Sequence, residues 1–335
     1  METNNSRQAA WVAMGSLFSF GFSIVSSMIL SRYFDKADYG TYKQVMYVYN
    51  TLLTVFTLGL PKAYSYFLPR VNPQEAKDLI NKITRLFFLL GGVFSILLFL
   101  GASLIAQFLK NPDLEIALRY FSLVPFLMLP TMGLEGILST YKKTKFLAGY
   151  TITTRLFMLC CVALPVMIFN LDYIGAIIGF VIASIFSAFL ALYLKVYPVR
   201  NNIKNRTQTS YKEIFQFSLP LMYASLWGVL MSSADQFFIS RFFGLEVFAD
   251  FSNGSMELPF VGMIVGACST VLSPIFSRMS HEKVNLYEQS YPLWKSVYQK
   301  TALLIYPIVV YCWVFADVIM VALYGEKYET SQTFF

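Results

Sequence analysis

SSADQFFISRFFGLEVFADF, residues 232–251, lies between two long apolar runs and repeats, in weaker form, an earlier stretch of the chain. Aligning Ser240-Arg241-Phe242-Phe243 with Ser31-Arg32-Tyr33-Phe34 sets an offset of 209 residues. At that offset Phe248 meets Tyr39 and Phe251 meets Tyr42. Each copy joins the first apolar run of a set to the second. Matches in the same order and at the same place in a pattern are the mark of an internal repeat.

What surrounds the two copies decides the fold class. The 335 residues are 56% hydrophobic and 13% charged, about half the roughly 25% charge of soluble domains. The apolar residues come in blocks longer than about 18 residues, a length that reads as membrane-spanning. Breaks between blocks predict nine spans, near 9–31, 40–68, 84–108, 115–140, 146–169, 173–194, 213–239, 247–277 and 298–323. At about 1.5 Å per residue, each reaches across a hydrocarbon core about 30 Å thick. The fourth is the least regular, because it contains Arg119, Pro125, Pro130 and Glu135. A helix lying on the membrane surface is the other reading there. Residues 1–10, METNNSRQAA, read as a polar start rather than a secretory signal.

Charge sets the orientation. With the N-terminus inside and the spans alternating, seventeen of the 26 lysines and arginines fall on inner segments and five on outer ones. The inner clusters centre on Arg70–Arg85, Lys142–Lys145, Lys195–Lys212 and Arg278–Lys300. This is the positive-inside bias, so the net charge of +7 is orientation chemistry with some attraction to anionic membrane lipids. No nucleic-acid footprint is needed. Cys160, Cys161, Cys268 and Cys312 all sit in apolar blocks and form no CxxC pair, and the one histidine, His281, lies among loop charges. Metal ligation and His-based catalysis find no support. A GxxxxGK[ST] phosphate loop, HExxH and GxSxG are all absent, which removes ATP hydrolysis and the common hydrolases.

The predicted architecture is an all-α polytopic membrane protein of two parallel-repeat helical bundles, the second incomplete. Residues 1–197 form a six-span bundle, 198–211 a basic cytoplasmic linker, and 212–335 a partial bundle of about three spans. Six spans is an even number, so both copies enter the membrane the same way up. Parallel repeats about an axis along the membrane normal are typical of transporters. Two units of 209 exceed the 335 residues present, so the chain is expected to be short of spans four to six of its second bundle.

Three stretches carry a resemblance to the multidrug/oligosaccharidyl-lipid/polysaccharide exporter superfamily, and within it to the polysaccharide flippase branch. They are SADQFFISRFFGLEVFADFS at 233–252, LPFVGMIVGACSTVLSPIFSRMS at 258–280 and KTALLIYPIVVYCWVFADVIMVALYGEKYETS at 300–331. YFDKADYGTYKQV at 33–45 fits in topology. Gln236 departs from the resembled pattern, where a lysine commonly follows the aspartate. The resemblance implies translocation of a polyprenyl-diphosphate-linked oligosaccharide by alternating access in the cytoplasmic membrane. It implies no cofactor, a coupling ion (Na⁺ or H⁺), and the polysaccharide polymerase and glycosyltransferases of the same pathway as partners. A drug/cation antiporter of the same superfamily is the alternative. A membrane polymerase or ligase would need a large outer loop, and the outer connections are short.

Ionisable side chains at depth mark candidate sites. Asp235 lies about 9 Å from the outer boundary at Arg241, by helical rise, and its repeat equivalent is Ser26. Glu257 lies about 15 Å into the eighth span, two residues before Pro259, where a freed carbonyl and a carboxylate suit a cation. Lys62 follows Pro61 about 12 Å in from Arg70. The resemblance places the first, second, seventh and eighth spans around a central cavity, which would let Lys62 meet a lipid diphosphate. For each of the three, an ion pair or a side chain snorkelling to the interface is the alternative. Arg155 and Glu135 are expected to form an ion pair within the first bundle.

Overall fold

The computed structural model describes residues 2–335 except 201, 203–204, 257–260, 263, 266–267, 269–271 and 273–285, with side chains described from residue 11 on apart from 13 and 286–289. Among the described residues every regular element is a helix. In chain order these are α1 (Glu2–Tyr33), α2 (Lys36–Thr57), α3 (Pro61–Phe67), α4 (Ala76–Phe108), α5 (Asp113–Phe121), α6 (Leu123–Met128) and α7 (Leu134–Thr140). There follow α8 (Thr144–Phe169), α9 (Tyr173–Val196), α10 (Tyr211–Phe242), α11 (Leu245–Gly254), α12 (Leu286–Val314) and α13 (Ala316–Tyr324). The chain forms two compact units, Met1–Ala249 and Asp250–Phe335.

Seven described segments are long and apolar enough to cross a bilayer, and they coincide with seven of the nine predicted spans. About half of the eighth span lies outside the described residues. The second differs for a physical reason: its helix stops at Thr57, because Leu58 and Gly59 are both left-handed, with φ of 48° and 69°. The chain restarts as α3 with Pro61 at its first position, where a missing N–H costs nothing. The fourth span is also broken, into α5, α6, a 3₁₀ turn at Leu129–Thr131 and α7. Yet more than half of its most apolar window is buried, so it threads the bundle and is not a surface helix. Its charged residues sit near its ends, where Arg119 bonds Glu115 at 2.6 Å one turn earlier.

α4 shows why the bundle suits lipid. Phe87, Phe94 and Leu98 on one face are at most 1% exposed, while Leu100 and Leu104 on the other are 70% and 71% exposed. A helix apolar on both faces needs an apolar solvent outside as well as a core inside. Behind it, α9 carries Gly179, Ala183, Ser187 and Ala191 at four-residue spacing, all buried. A side chain at Gly179 would overlap the Cys161 carbonyl of α8, so the two backbones pack in direct contact, as small-residue stripes allow in membranes.

In the second unit, α12 runs unbroken through Pro292 and Pro307. The chain bends instead at Phe315, before α13. The closing Tyr324 is 1% exposed, and Gly325 takes a φ of 94° that only glycine tolerates easily. The repeat is visible locally. Ser31 and Ser240 are both buried near the ends of their helices, and Tyr39, Phe248, Tyr42 and Phe251 are all at most 8% exposed.

Candidate functional site

The break that ends α2 also builds a polar face. At Gly59 an added side chain would strike the Ser218 carbonyl of α10, so the bare backbone lets α3 start hard against α10. Lys62, Tyr66 and Arg70 then fall on successive turns, and all three are exposed. The Arg70 guanidinium lies 3.4 Å from the Tyr66 ring centroid. Tyr66 in turn stacks on Phe217 of α10 at 4.0 Å between centroids. The result is a surface of two cations and two aromatic rings, one residue after a helix start.

Asp235 is exposed on α10. α2 reaches α10 there through the Tyr47 hydroxyl, which donates to the Ser233 carbonyl at 3.4 Å. One turn beyond Gln236, the buried Gln44 amide donates to Ser240 Oγ at 2.8 Å. Gln44 also accepts from Asn111 Nδ2 at 2.7 Å, and Asn111 donates to Thr41 Oγ1 at 3.0 Å. Asn111 Oδ1 accepts from the Asp113 N–H at 3.1 Å. This buried network fastens the N-terminal half of α2 to α10 and to the α4–α5 turn. Asp235 comes thirteen residues after Met222, the last α10 residue touched by Gly59, so it lies about 20 Å along α10 from the α3 contact. Lys62 and Asp235 are therefore not brought together. Glu257 lies outside the described residues.

The expected pairing of Arg155 with Glu135 is not made. The two do not approach within 4 Å, and Glu135 is exposed on the first turn of α7. The reason is the break before α7: Gly133, at φ 77°, restarts the helix in a new direction. Arg155 instead lines a cavity with α1, α2 and α9.

Lys195 is a second correction. Sequence counted it with the inner basic cluster, but its side chain is 1% exposed. Its ammonium donates to the Met132 carbonyl at 2.6 Å and to the Tyr64 hydroxyl at 3.2 Å, and it lies 5.3 Å from the Phe87 ring centroid. It holds the break before α7 against α3. The signal was present in the spacing, because Lys195 continues the four-residue stripe from Gly179 to Ala191.

Residues 205–209 are held along the start of α4. Lys82 donates to the Thr209 carbonyl at 2.6 Å, Asn205 Nδ2 to Gln74 Oε1 at 2.7 Å, and the Thr207 N–H to Asp78 at 3.1 Å. At the start of α2 Asp38 is surrounded by like charge. Partial burial first, then Asp35, Asp172 and Asp113, raise its pKa above the ordinary carboxylate value.

A profile of the polysaccharide biosynthesis protein family matches residues 29–333. The chain belongs to that family. No curated protein matches it at a significant level. Among solved structures, an inward-facing multidrug resistance MATE family transporter of the MOP superfamily aligns at TM-score 0.72 and 11% identity, over 97% of this chain and 78% of its own. A MOP superfamily transporter from Pyrococcus furiosus, whose reversed binding-pocket polarity is taken to suggest a different function, aligns at 0.67 and 15%, over 98% and 76%. The Vibrio cholerae MATE transporter VcmN, as a mutant, aligns at 0.65 and 15%, over 100% and 79%. At these identities the likeness establishes the fold, an all-α polytopic membrane fold shared with MOP superfamily transporters. The resemblance read from residues 233–252 is borne out at the level of family and fold.

Proposed function

We propose that this chain is a carrier, not an enzyme, that moves a polyprenyl-diphosphate-linked oligosaccharide across the cytoplasmic membrane by alternating access. The observation that carries this reading is the exposed face of Lys62, Tyr66 and Arg70 beside α10. An ammonium and a guanidinium suit a diphosphate, and the Tyr66 ring, held between Arg70 and Phe217, fixes where the guanidinium sits. Lys62 holds the diphosphate in the inner half. Asp235, about 20 Å away along α10 by helical rise, meets sugar hydroxyls or a coupling ion in the outer half, and Glu257 shares that role. Substrate drives the cycle only by binding one state better than the other. The N-terminus is inside, and the polymerase and glycosyltransferases of the same pathway are the partners.

Deleting the gene in its native host and assaying lipid-linked oligosaccharide by leaflet tests the reading. Accumulation on the cytoplasmic leaflet with loss of surface polysaccharide supports it, and mass spectrometry of the lipid then names the sugar. Unchanged lipid intermediates with altered drug sensitivity would favour the second reading, a drug/cation antiporter, which the likeness to MATE transporters supports.

A further inference from the structure

The first unit contains a cavity of about 590 Å³ walled by α1, α2, the 129–131 turn, α8 and α9. Two cations line it, Lys43 from α2 and Arg155 from α8, and none of its described lining residues is an aspartate or a glutamate. Hydroxyls surround the cations, among them Ser23 and Ser26 of α1 and Thr151 and Thr154 of α8. Arg155 also borders a smaller cavity of about 370 Å³, lined by Ser16, Ser19 and Ser23.

Arg155 sits eleven residues into α8, about 16 Å along a helix that crosses the membrane. A guanidinium at that depth is costly unless it meets a partner or a polar cavity. No described carboxylate lies within 4 Å of it; the residue is exposed and lines both cavities. Lys43 is half-buried, with its ammonium 5.1 Å from the Tyr39 ring centroid. The Arg155 guanidinium, with hydroxyl donors around it and no carboxylate among the described lining residues, would repel a metal or drug cation and attract an oxyanion. The volume is about twenty times the ~30 Å³ share of one liquid water, enough for a hydrated diphosphate.

We propose that this cavity binds a phosphoryl oxyanion, gripped bidentately by Arg155 and balanced by Lys43. Its source is either the diphosphate of the lipid-linked substrate or a free inorganic anion. Only the first source rests on the translocation reading. This site is separate from the Lys62 face and lies within the bundle itself.

The test is titration of the purified full chain, in nanodiscs of zwitterionic lipid, with inorganic pyrophosphate, phosphate, chloride and a short-chain polyprenyl diphosphate. Pyrophosphate is expected to bind saturably. Arg155→Gln is expected to weaken it about ten- to a hundredfold, the range for one hydrogen-bonded charge, and Arg155→Lys to restore part of the loss. Arg119→Gln, on the outer surface, is expected to change nothing. Should Arg155→Gln not fold, Ser23→Leu fills both cavities without removing a charge and must weaken binding too. Competition between pyrophosphate and the polyprenyl diphosphate assigns the site to the substrate. Binding of free anions alone keeps the site and separates it from translocation. Absence of saturable binding by any of the four, or binding indifferent to both Arg155→Gln and Ser23→Leu, overturns the proposal, and the leaflet assay of the deletion strain stands independently of either result.

Discussion

Replacing Lys195 with methionine isolates what a buried ammonium does at the break before α7. The substitution keeps most of the volume and removes the charge. Two charge-assisted hydrogen bonds are lost, each worth about 1.5–3 kcal/mol, but so is the desolvation of the ammonium, which costs several kcal/mol. These terms roughly cancel, and the groups left behind decide the sign. The Tyr64 hydroxyl keeps Thr84 Oγ1 at 2.8 Å, so it is not orphaned. The Met132 carbonyl loses the donor that bonds it at 2.6 Å in a segment where the helical ladder is interrupted. An orphaned buried carbonyl costs about 1–3 kcal/mol, and that is the expected destabilisation. Lys195→Ala adds a cavity and is expected to cost more, in the ~2–5 kcal/mol range of large-to-small changes. Tyr64→Phe leaves the Met132 bond intact and is expected to cost about 1 kcal/mol. Equilibrium unfolding of the three variants in mixed micelles checks the order. If Lys195→Met is as stable as the parent protein or more so, the ammonium is a net burden and its bond to Met132 does not hold the break.

Gly179→Leu places a side chain into the Cys161 carbonyl and is expected to abolish folded protein in the membrane, read as loss of a monodisperse peak on extraction, while Gly149→Leu, with open space around it, is tolerated. Asn111→Ala is expected to cost about 1–3 kcal/mol, because Gln44 Oε1 loses a buried donor; a neutral result in unfolding would show that the network adds no net stability. Asp38 holds its proton more tightly folded than unfolded, so its contribution to stability falls as pH rises from the ordinary value of 3.8 through its raised folded pKa. Asp38→Asn is therefore expected to raise the unfolding midpoint at neutral pH, with the gain fading as pH is lowered towards 3.8, and a gain independent of pH would refute the charge-crowding account. Lys62→Ala, at an exposed position, is expected to leave stability unchanged and to reduce export of lipid-linked sugar; unaltered export would remove Lys62 from the substrate path.

What was legible in the sequence was whatever a continuous run of residues encodes. Apolar length gave the spans, and the echo at Ser31 and Ser240 marked two helix ends that are buried alike. Side-chain direction was less legible, because it depends on where a helix is interrupted. Arg155 and Glu135 suit each other in chemistry, but the left-handed Gly133 turns α7 and leaves Glu135 at the surface. Lys195 reads as an interfacial lysine when counted by distance from a span's end. Only its register with Gly179, Ala183, Ser187 and Ala191 places it inside. Pro292 and Pro307 both sit inside an unbroken α12, and the chain bends at Phe315, which no proline marks. The network of Thr41, Gln44, Asn111 and Ser240 joins positions up to 196 residues apart, and no local pattern announces it.

The direct contact of α8 with α9 has a mechanical consequence. At Gly179 no side chain separates the backbones, and farther along Phe157 and Phe186 pack ring against ring, so the two helices resist sliding and bending as a single girder. Compliance in the first unit must then sit elsewhere, at the interruptions after Thr57 and before Leu134. These two interruptions touch, since a side chain at Gly133 would run into the Tyr64 ring and one at Gly136 into Ser65. A load applied at either would be felt at the other before the girder moved. The bundle is in that sense a stiff frame with one shared elastic joint, and Lys195 is the pin through it.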